Sequence, residues 1–530
     1  MPTRKNKRPQ GTLWHPRKKL LKAEEAICKR LKRTGRLFAF LRKHRRKIFD
    51  DKFQAELAEM YSDTPRGTQP RPPAFLAMVV LLQAYEKKSD AAAVEEAVFD
   101  RRWQMVLDCL GADEPPFSQG SLVDFRRRLM AHDMDKRLLD RTVEVAKESG
   151  DFGYKQLRIA LDSSPLWGAG RVEDTFNLIG HALEVVVDCA ASVLGVGGQA
   201  VCKEAQLTLL GGSSLKALLD IDWDDAQQQH GALQRLLDEV VRLRSWLTEQ
   251  LGDQVDAPPL KEALALLEQV LTQDLEPDPG GGGMRVRRGV AKDRRISVTD
   301  PQMRHGRKSK TRLFNGYKRH IARDVDSGFI LAGLARPANE PEYQATEQLR
   351  QDIEPFGEVD ELHIDRGYLA SEWVRQRYQA GMPVYAKPWT VRNGKLFPKT
   401  AFNIDLEAGQ VRCPEGITVP FKGKTARFPA RACDACPSRG QCTRAKMGRG
   451  RTISIHPQEA FFVQLRQLKQ TSEGRAKLRQ RVCVEHTLAH VCRRQGPRAR
   501  YLGTRKNTFD VRRVAAIENL NVLDRLGRVA

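Results

Sequence analysis

Twice in this chain an apolar run ends in a lone aspartate, and that arrangement limits the fold more than any other feature. The first run is Leu157-Arg158-Ile159-Ala160-Leu161-Asp162, followed by Ser163-Ser164. The second is Val359-Asp360-Glu361-Leu362-His363-Ile364-Asp365, followed by Arg366-Gly367-Tyr368. Short apolar runs bounded by small or turn-forming residues read as buried strands. Such a strand delivers its last side chain to the rim of a sheet, where ligands bind. A carboxylate there suits a hard cation such as Mg²⁺, which takes oxygen ligands from few side chains. Asp also closes many strands for turn chemistry alone, so it is the recurrence that carries weight. A third acid, Glu485, stands in a helical pattern over Gly474–Arg494, flanked by Val482, Val484 and Leu488. That setting predicts a partly buried face, with a plain ion pair to Arg481 as the bland alternative. Asp174 and Asp360 are the nearest rivals, but Asp174 reads as a loop residue and Asp360 as the start of a strand.

The 530 residues carry a net charge of +24 and a pI near 9.7. An excess of that size predicts a polyanionic partner, nucleic acid first and an anionic membrane surface second, with a merely solubilising positive surface as the bland alternative. No window approaches the roughly 20 uninterrupted apolar residues of a membrane span, and the N-terminus lacks a signal-peptide core. Ten cysteines are too sparse for a disulfide scaffold, and reduced thiols in a cytoplasmic compartment fit better.

Residues 1–48 read as a basic arm, with Arg4, Lys5, Lys7, Arg8, Arg17, Lys18, Lys19 and Lys22, leading into basic helices. Residues 49–150 read as an all-helical unit. Within it Ser118 caps a helix carrying Arg126, Arg127 and Arg128, which is what a helix-turn-helix reader offers a major groove. From 151 to 530 the pattern is an α/β mixed sheet with helices packed on it. A helical insertion over 179–290 ends in Gly280–Gly283, read as a flexible linker. After it come a strand at Arg295–Val298, a basic loop with Arg304, Arg307, Lys308 and Lys310, and a hairpin turning at Asp326-Ser327-Gly328. A basic C-terminal stretch includes Arg505, Lys506, Arg512 and Arg513, with Tyr501 and Phe509 interleaved, and fits a surface that tracks a nucleic-acid backbone.

The stretch 400–455 changes character. Cys413, Cys433, Cys436 and Cys442 lie among Pro, Gly, Arg and Lys. Four thiolates can close a tetrahedral Zn²⁺ site and hold together a segment too small for its own core. Free thiols and a redox Cys-x-x-Cys pair are the competing readings.

Two strand-end aspartates and a helical glutamate, 203 and 120 positions apart, point to one chemistry. Three carboxylates can hold two Mg²⁺ ions about 4 Å apart for phosphodiester cleavage or exchange. The motifs are Leu161-Asp162-Ser163-Ser164, Asp300-Pro301 through Arg304, Gly306, Lys308, Phe314 and Gly316-Tyr317-Lys318, Asp365-Arg366-Gly367-Tyr368, and Val484-Glu485-His486 with Arg505-Lys506-Asn507 and Asn519-Leu520. On these the chain resembles the DDE transposases of bacterial insertion sequences. The resemblance implies a ribonuclease H-like core behind an N-terminal helical domain, with Asp162, Asp365 and Glu485 as the catalytic triad. Arg481 fits an arginine that some relatives place before the glutamate. Leu478 stands where those relatives carry a tyrosine, and Cys492 where they carry a lysine.

The expected function is therefore a DNA transposase. It binds the terminal inverted repeats of its element, cuts, and joins the ends to target DNA with two Mg²⁺ ions, Mn²⁺ being able to substitute, and a structural Zn²⁺. Its DNA contacts are assigned to Arg126, Arg127, Arg128, Arg304, Arg307, Lys308, Lys318, Arg505 and Lys506. A homodimer on double-stranded DNA, a cytoplasmic, nucleoid-associated location and no membrane partner complete the expectation. The alternatives are a nuclease without strand transfer and a DNA-binding regulator with an inactive core.

Overall fold

The computed structural model describes residues 13–32, 35–61, 70–150, 152–153, 156–210, 214–309 and 311–527. Arg4, Lys5, Lys7, Arg8 and Lys310 lie outside the described residues.

Six strands form the central sheet: β1 (Gln156–Trp167), β2 (Arg304–Arg307), β3 (Leu313–Asp324), β4 (Ile330–Pro337), β5 (Glu358–Ile364) and β6 (Val384–Ala386). β1 pairs antiparallel with β3 on one side and parallel with β5 on the other, and β5 pairs parallel with β6. The far edge of β3 takes β2 along its start and β4 along the rest. Residues Leu157, Ile159, Ala160 and Leu161 of β1 are buried, as expected of a strand covered on both faces. Where β3 passes β1, a Cβ on Gly316 would lie 2.2 Å from the Gly168 nitrogen, so only glycine fits there.

The N-terminal helices pack directly onto this sheet. One continuous apolar core runs from Trp14 through the Pro73–Glu86 helix and β1 to Leu523. The C-terminal helix Thr504–Leu526 is the pin that holds it together. Its Asn519 side chain accepts from the Ile330 N–H (2.7 Å) and donates to the Ile330 carbonyl (2.9 Å) and to Thr142 Oγ1 (2.9 Å). Its Arg512 pairs with Asp135 and Asp352, and Arg505 with Asp133 and Asp135. The basic stretch expected to track a backbone is therefore largely a packed helix, with Arg512 and Arg513 buried.

Between β1 and β2 the chain leaves the sheet for helices that include Thr175–Leu194, Ala226–Leu251 and Leu260–Asp274, which share their own apolar core. Thr175–Leu194 is long and apolar enough by composition to cross a membrane, and half of it is buried against its neighbours. From 173 to 274 acids outnumber bases 17 to 6, so this unit repels a phosphate backbone although the whole chain is basic. Gly280–Gly283 form the turn of a short hairpin, Leu275–Pro277 with Met284–Val286, and not a linker. Residues 295–298 are not a strand either. Arg295 turns its guanidinium onto the Ser297 and Val298 carbonyls, and the segment ties to Glu173 through two hydrogen bonds.

The cysteine-bearing stretch folds as a five-stranded antiparallel sheet spanning Asn403–Ser454. It has a small core of its own, including Phe402, Val411, Phe428 and Ile453. The expectation of a segment without a core is corrected: alternating apolar residues on short strands supply one.

Candidate active site

The parallel register of β1 and β5 sets the site. Ala160 pairs with His363, and two residues further along each strand stand Asp162 and Asp365. With a side-chain period of two, both carboxylates leave the same face of neighbouring strands. β5 ends at Ile364, whereas β1 continues to Trp167 against β3. Asp162 is therefore in mid-strand and not at a strand end. It faces the gap that opens where β5 turns away.

The third acid comes from the other wall. The helical pattern over Gly474–Arg494 is broken into two helices, Ser472–Gln480 and Val482–Gln495, with Arg481 at the junction. Glu485 lies in the first turn of the second helix, which packs against β1 through Val484, Leu488 and Val491. Its side chain is 45% exposed, so the expected partly buried face is corrected to an open one. Arg481 reaches both acids: its Nη1 is 3.5 Å from Asp162 Oδ1, and its Nη2 donates to Glu485 Oε1. The guanidinium offsets the repulsion between carboxylates that converge on one mouth.

Asp162, Asp365, Glu485 and Arg481 line one cleft of about 790 Å³. Burial pushes the Asp162 carboxyl up to about 6. Arg481 and a 2.9 Å hydrogen bond from the Ser163 N–H pull the other way, while Glu485 and Asp365 add to the rise. A carboxylate held so far above its usual range by burial and by like charges is waiting for positive charge. Arg307, Lys308, Arg312 and Arg493 are exposed along the rim. Lys318 also lines the cleft; its Nζ donates to the Glu340 carbonyl (2.8 Å), and burial lowers its pKa. Leu478 is buried, and Cys492 Sγ lies 3.1 Å from Ser164 Oγ inside the cleft.

Several residues singled out in the sequence have other duties. Arg126 is buried against Asp90, with an Nη1–Oδ1 distance of 2.7 Å, and is not available to a phosphate. Arg304 pairs with Asp293 and donates to the Pro301 and Met303 carbonyls, and Arg505 is held by Asp133 and Asp135. Arg127 pairs with Asp124 on the surface, Arg128 covers the Tyr61 ring, and Lys506 is exposed. Asp174 caps the Thr175–Leu194 helix and pairs with Lys216, and Asp360 lies at the start of β5, away from the cleft. Glu342 was missed: it lines the cleft and accepts from Ser163 Oγ at 2.6 Å. It follows the end of β4, so an acid beyond an apolar strand was again the available signal.

The four cysteines surround one small apolar cavity of about 30 Å³. None is in a disulfide. Cys413 Sγ accepts from the Ile417 N–H (3.3 Å) and Cys433 Sγ from the Arg451 N–H (3.4 Å). Four sulfurs around one cavity are the donor set that a tetrahedral Zn²⁺ takes, although burial pushes the Cys442 thiol up. Among the described residues, the one group of potential ligands with all its atoms within 4.8 Å of one another is Glu86, Glu96 and Asp100. Lys88 and Arg102 already pair with that group, so its charge is met internally. The cleft acids and the thiols are set wider apart.

Two family models match the chain. "Transposase domain (DUF772)" matches residues 20–128, and "Transposase DDE domain" matches 412–524, a span containing Glu485 and all four cysteines. The two matches are consistent with a DDE-type insertion-sequence transposase, and the DDE domain supports an enzyme of the transposase or nuclease type, a class that implies divalent-metal use and a DNA substrate. No curated protein and no solved structure matches the chain.

Proposed function

We propose that this protein binds the terminal inverted repeats of an insertion sequence, cleaves the ends by Mg²⁺-dependent phosphodiester hydrolysis, and transfers them to target DNA. The single observation that carries the reading is the meeting of Asp162, Asp365 and Glu485 at one cation-rimmed cleft. Strand order and register support a ribonuclease H-like core. Asp162, Asp365 and Glu485 are the ligands for two Mg²⁺ ions, with Mn²⁺ able to substitute. Such ions supply activation of water or a 3′-hydroxyl and stabilisation of the leaving oxygen. Arg481 holds Asp162 and Glu485 together before the metals arrive. Arg307, Lys308, Arg312 and Arg493 hold the phosphate backbone across the cleft, and Lys318 lines its wall. A basic furrow of about 350 Å³, which includes Lys18, Lys43 and Arg46, offers the N-terminal helices a second backbone contact.

Cys413, Cys433, Cys436 and Cys442 are assigned a structural Zn²⁺. We divide the chain into a basic arm (1–48), a helical DNA-binding unit (49–150) and a catalytic unit (151–530) interrupted at 179–290 and 400–455. It acts as a homodimer on double-stranded DNA in the cytoplasm, associated with the nucleoid. The test supplies the full chain with Mg²⁺, duplexes carrying the element's own ends both uncut and pre-cut, and a target plasmid. Joined products are expected. Cutting without joining would make the protein a nuclease, and binding without either would make it a regulator.

A further inference from the structure

Beneath the three acids lies a network that the reaction does not require by itself. Ser163 follows Asp162 and donates its backbone N–H to Asp162 Oδ1 (2.9 Å) and its hydroxyl to Glu342 Oε1 (2.6 Å). Tyr368, buried three residues after Asp365, shares a 2.8 Å hydrogen bond with His320 Nδ1 and lies within hydrogen-bonding reach of Ser163. Glu342 also packs against the turn after Asp365: a Cβ added to Gly367 would stand 1.6 Å from Glu342 Oε2. One carboxylate therefore touches both the strand that carries Asp162 and the turn that carries Asp365.

We infer that Glu342 is a positioning residue that sets the spacing of Asp162 and Asp365 by holding the Ser163 hydroxyl on one side and seating over Gly367 on the other. The inference rests on the metal-dependent reading of the cleft. Groups that orient metal ligands typically change affinity about 10–100-fold when removed. The role needs an acceptor oxygen at Oε1 and close contact at Gly367, and it does not need a negative charge. Glutamine therefore serves in place of glutamate, whereas alanine does not. A Cβ at Gly367 pushes the Glu342 carboxyl off its seat and reproduces the alanine defect from the other side.

The test is Mn²⁺ affinity of the full chain by isothermal titration calorimetry, with circular dichroism to confirm folding. Glu342→Ala and Gly367→Ala are each expected to weaken Mn²⁺ binding about tenfold or more. Glu342→Gln is expected to recover most of that loss, and Ser163→Ala to show a smaller defect of the same kind. Wild-type affinity in Glu342→Ala, or a Glu342→Gln defect as large as that of alanine, overturns the inference. A wild-type chain that binds Mn²⁺ at these acids but cuts no DNA sinks the reaction reading and leaves this inference standing on its affinities.

Discussion

Replacing Asp162 by Asn should make the metal-free protein more stable while ending its chemistry. Burial, with Glu485 and Asp365 nearby, pushes the Asp162 carboxyl from 3.8 up to about 6. A group raised in the folded state destabilises the fold when charged, and that cost is present above the folded value. It fades as pH falls from about 6 towards the unfolded value. At about 1.4 kcal/mol per pH unit, the difference corresponds to about 3 kcal/mol at pH 8 and about 1 kcal/mol at pH 4.5. The side chain is 16% exposed, so little is lost to solvent screening. Asn keeps the volume, sheds the charge, and recovers most of that cost. Urea unfolding of both proteins without divalent metal, at pH 8 and pH 4.5, reads the effect. Most substitutions at buried positions destabilise, so the expected gain has an unusual sign. Destabilisation by Asn at pH 8, or a gain that does not shrink at pH 4.5, would refute the reasoning.

Other expectations follow from single contacts. Asp365→Asn and Glu485→Gln should each abolish cleavage while leaving gel-shift affinity for DNA unchanged, because metal ligation alone is removed. Asn519→Ala should cost about 1–3 kcal/mol in chemical unfolding, since it leaves the Ile330 N–H and carbonyl without their partner. Cys433→Ser, or Zn²⁺ chelation, should expose residues 400–455 to proteolysis before the rest of the chain; elemental analysis finding no zinc would remove that metal from the account. Lowering Mg²⁺-free pH from 8 to 5 should weaken the Arg481 contact as Asp162 takes up a proton, seen as a change in the Asp162 carboxyl signal near pH 6 by NMR.

β1 and β4 were legible from their apolar runs, and Asp162 and Asp365 because they follow such runs; β2 was not, because Arg304-His305-Gly306-Arg307 has the composition of a basic loop and is a strand only by pairing with β3. The hairpin at Asp326-Ser327-Gly328 was legible from its turn residues. The break at Arg481 was not, because the apolar spacing of Gly474–Arg494 continues across it. Arg126 and Arg505 read as phosphate contacts because their carboxylate partners, Asp90 and Asp133 with Asp135, are distant in sequence, and Arg304 because it stands among Arg307 and Lys308 although Asp293 is only 11 positions away. Glu342 carries the signal of an acid beyond an apolar strand, but Glu340 shares that signal, and the fold alone singles out Glu342 by bringing it to Ser163, 179 positions away. Gly280–Gly283 has the composition of a linker, yet the flanking Leu275 and Met284 pack on the helical insertion and close it into a hairpin.

The most direct measurement is Mg²⁺-dependent nicking of a duplex carrying the element's end by the wild-type protein beside Asp162→Asn, Asp365→Asn and Glu485→Gln, with binding followed in parallel. Cleavage leaving a 3′-hydroxyl in the wild type, absent from all three variants while each still binds the duplex, is the predicted result. Wild-type cleavage by any one of the three would contradict a shared metal site built from these acids.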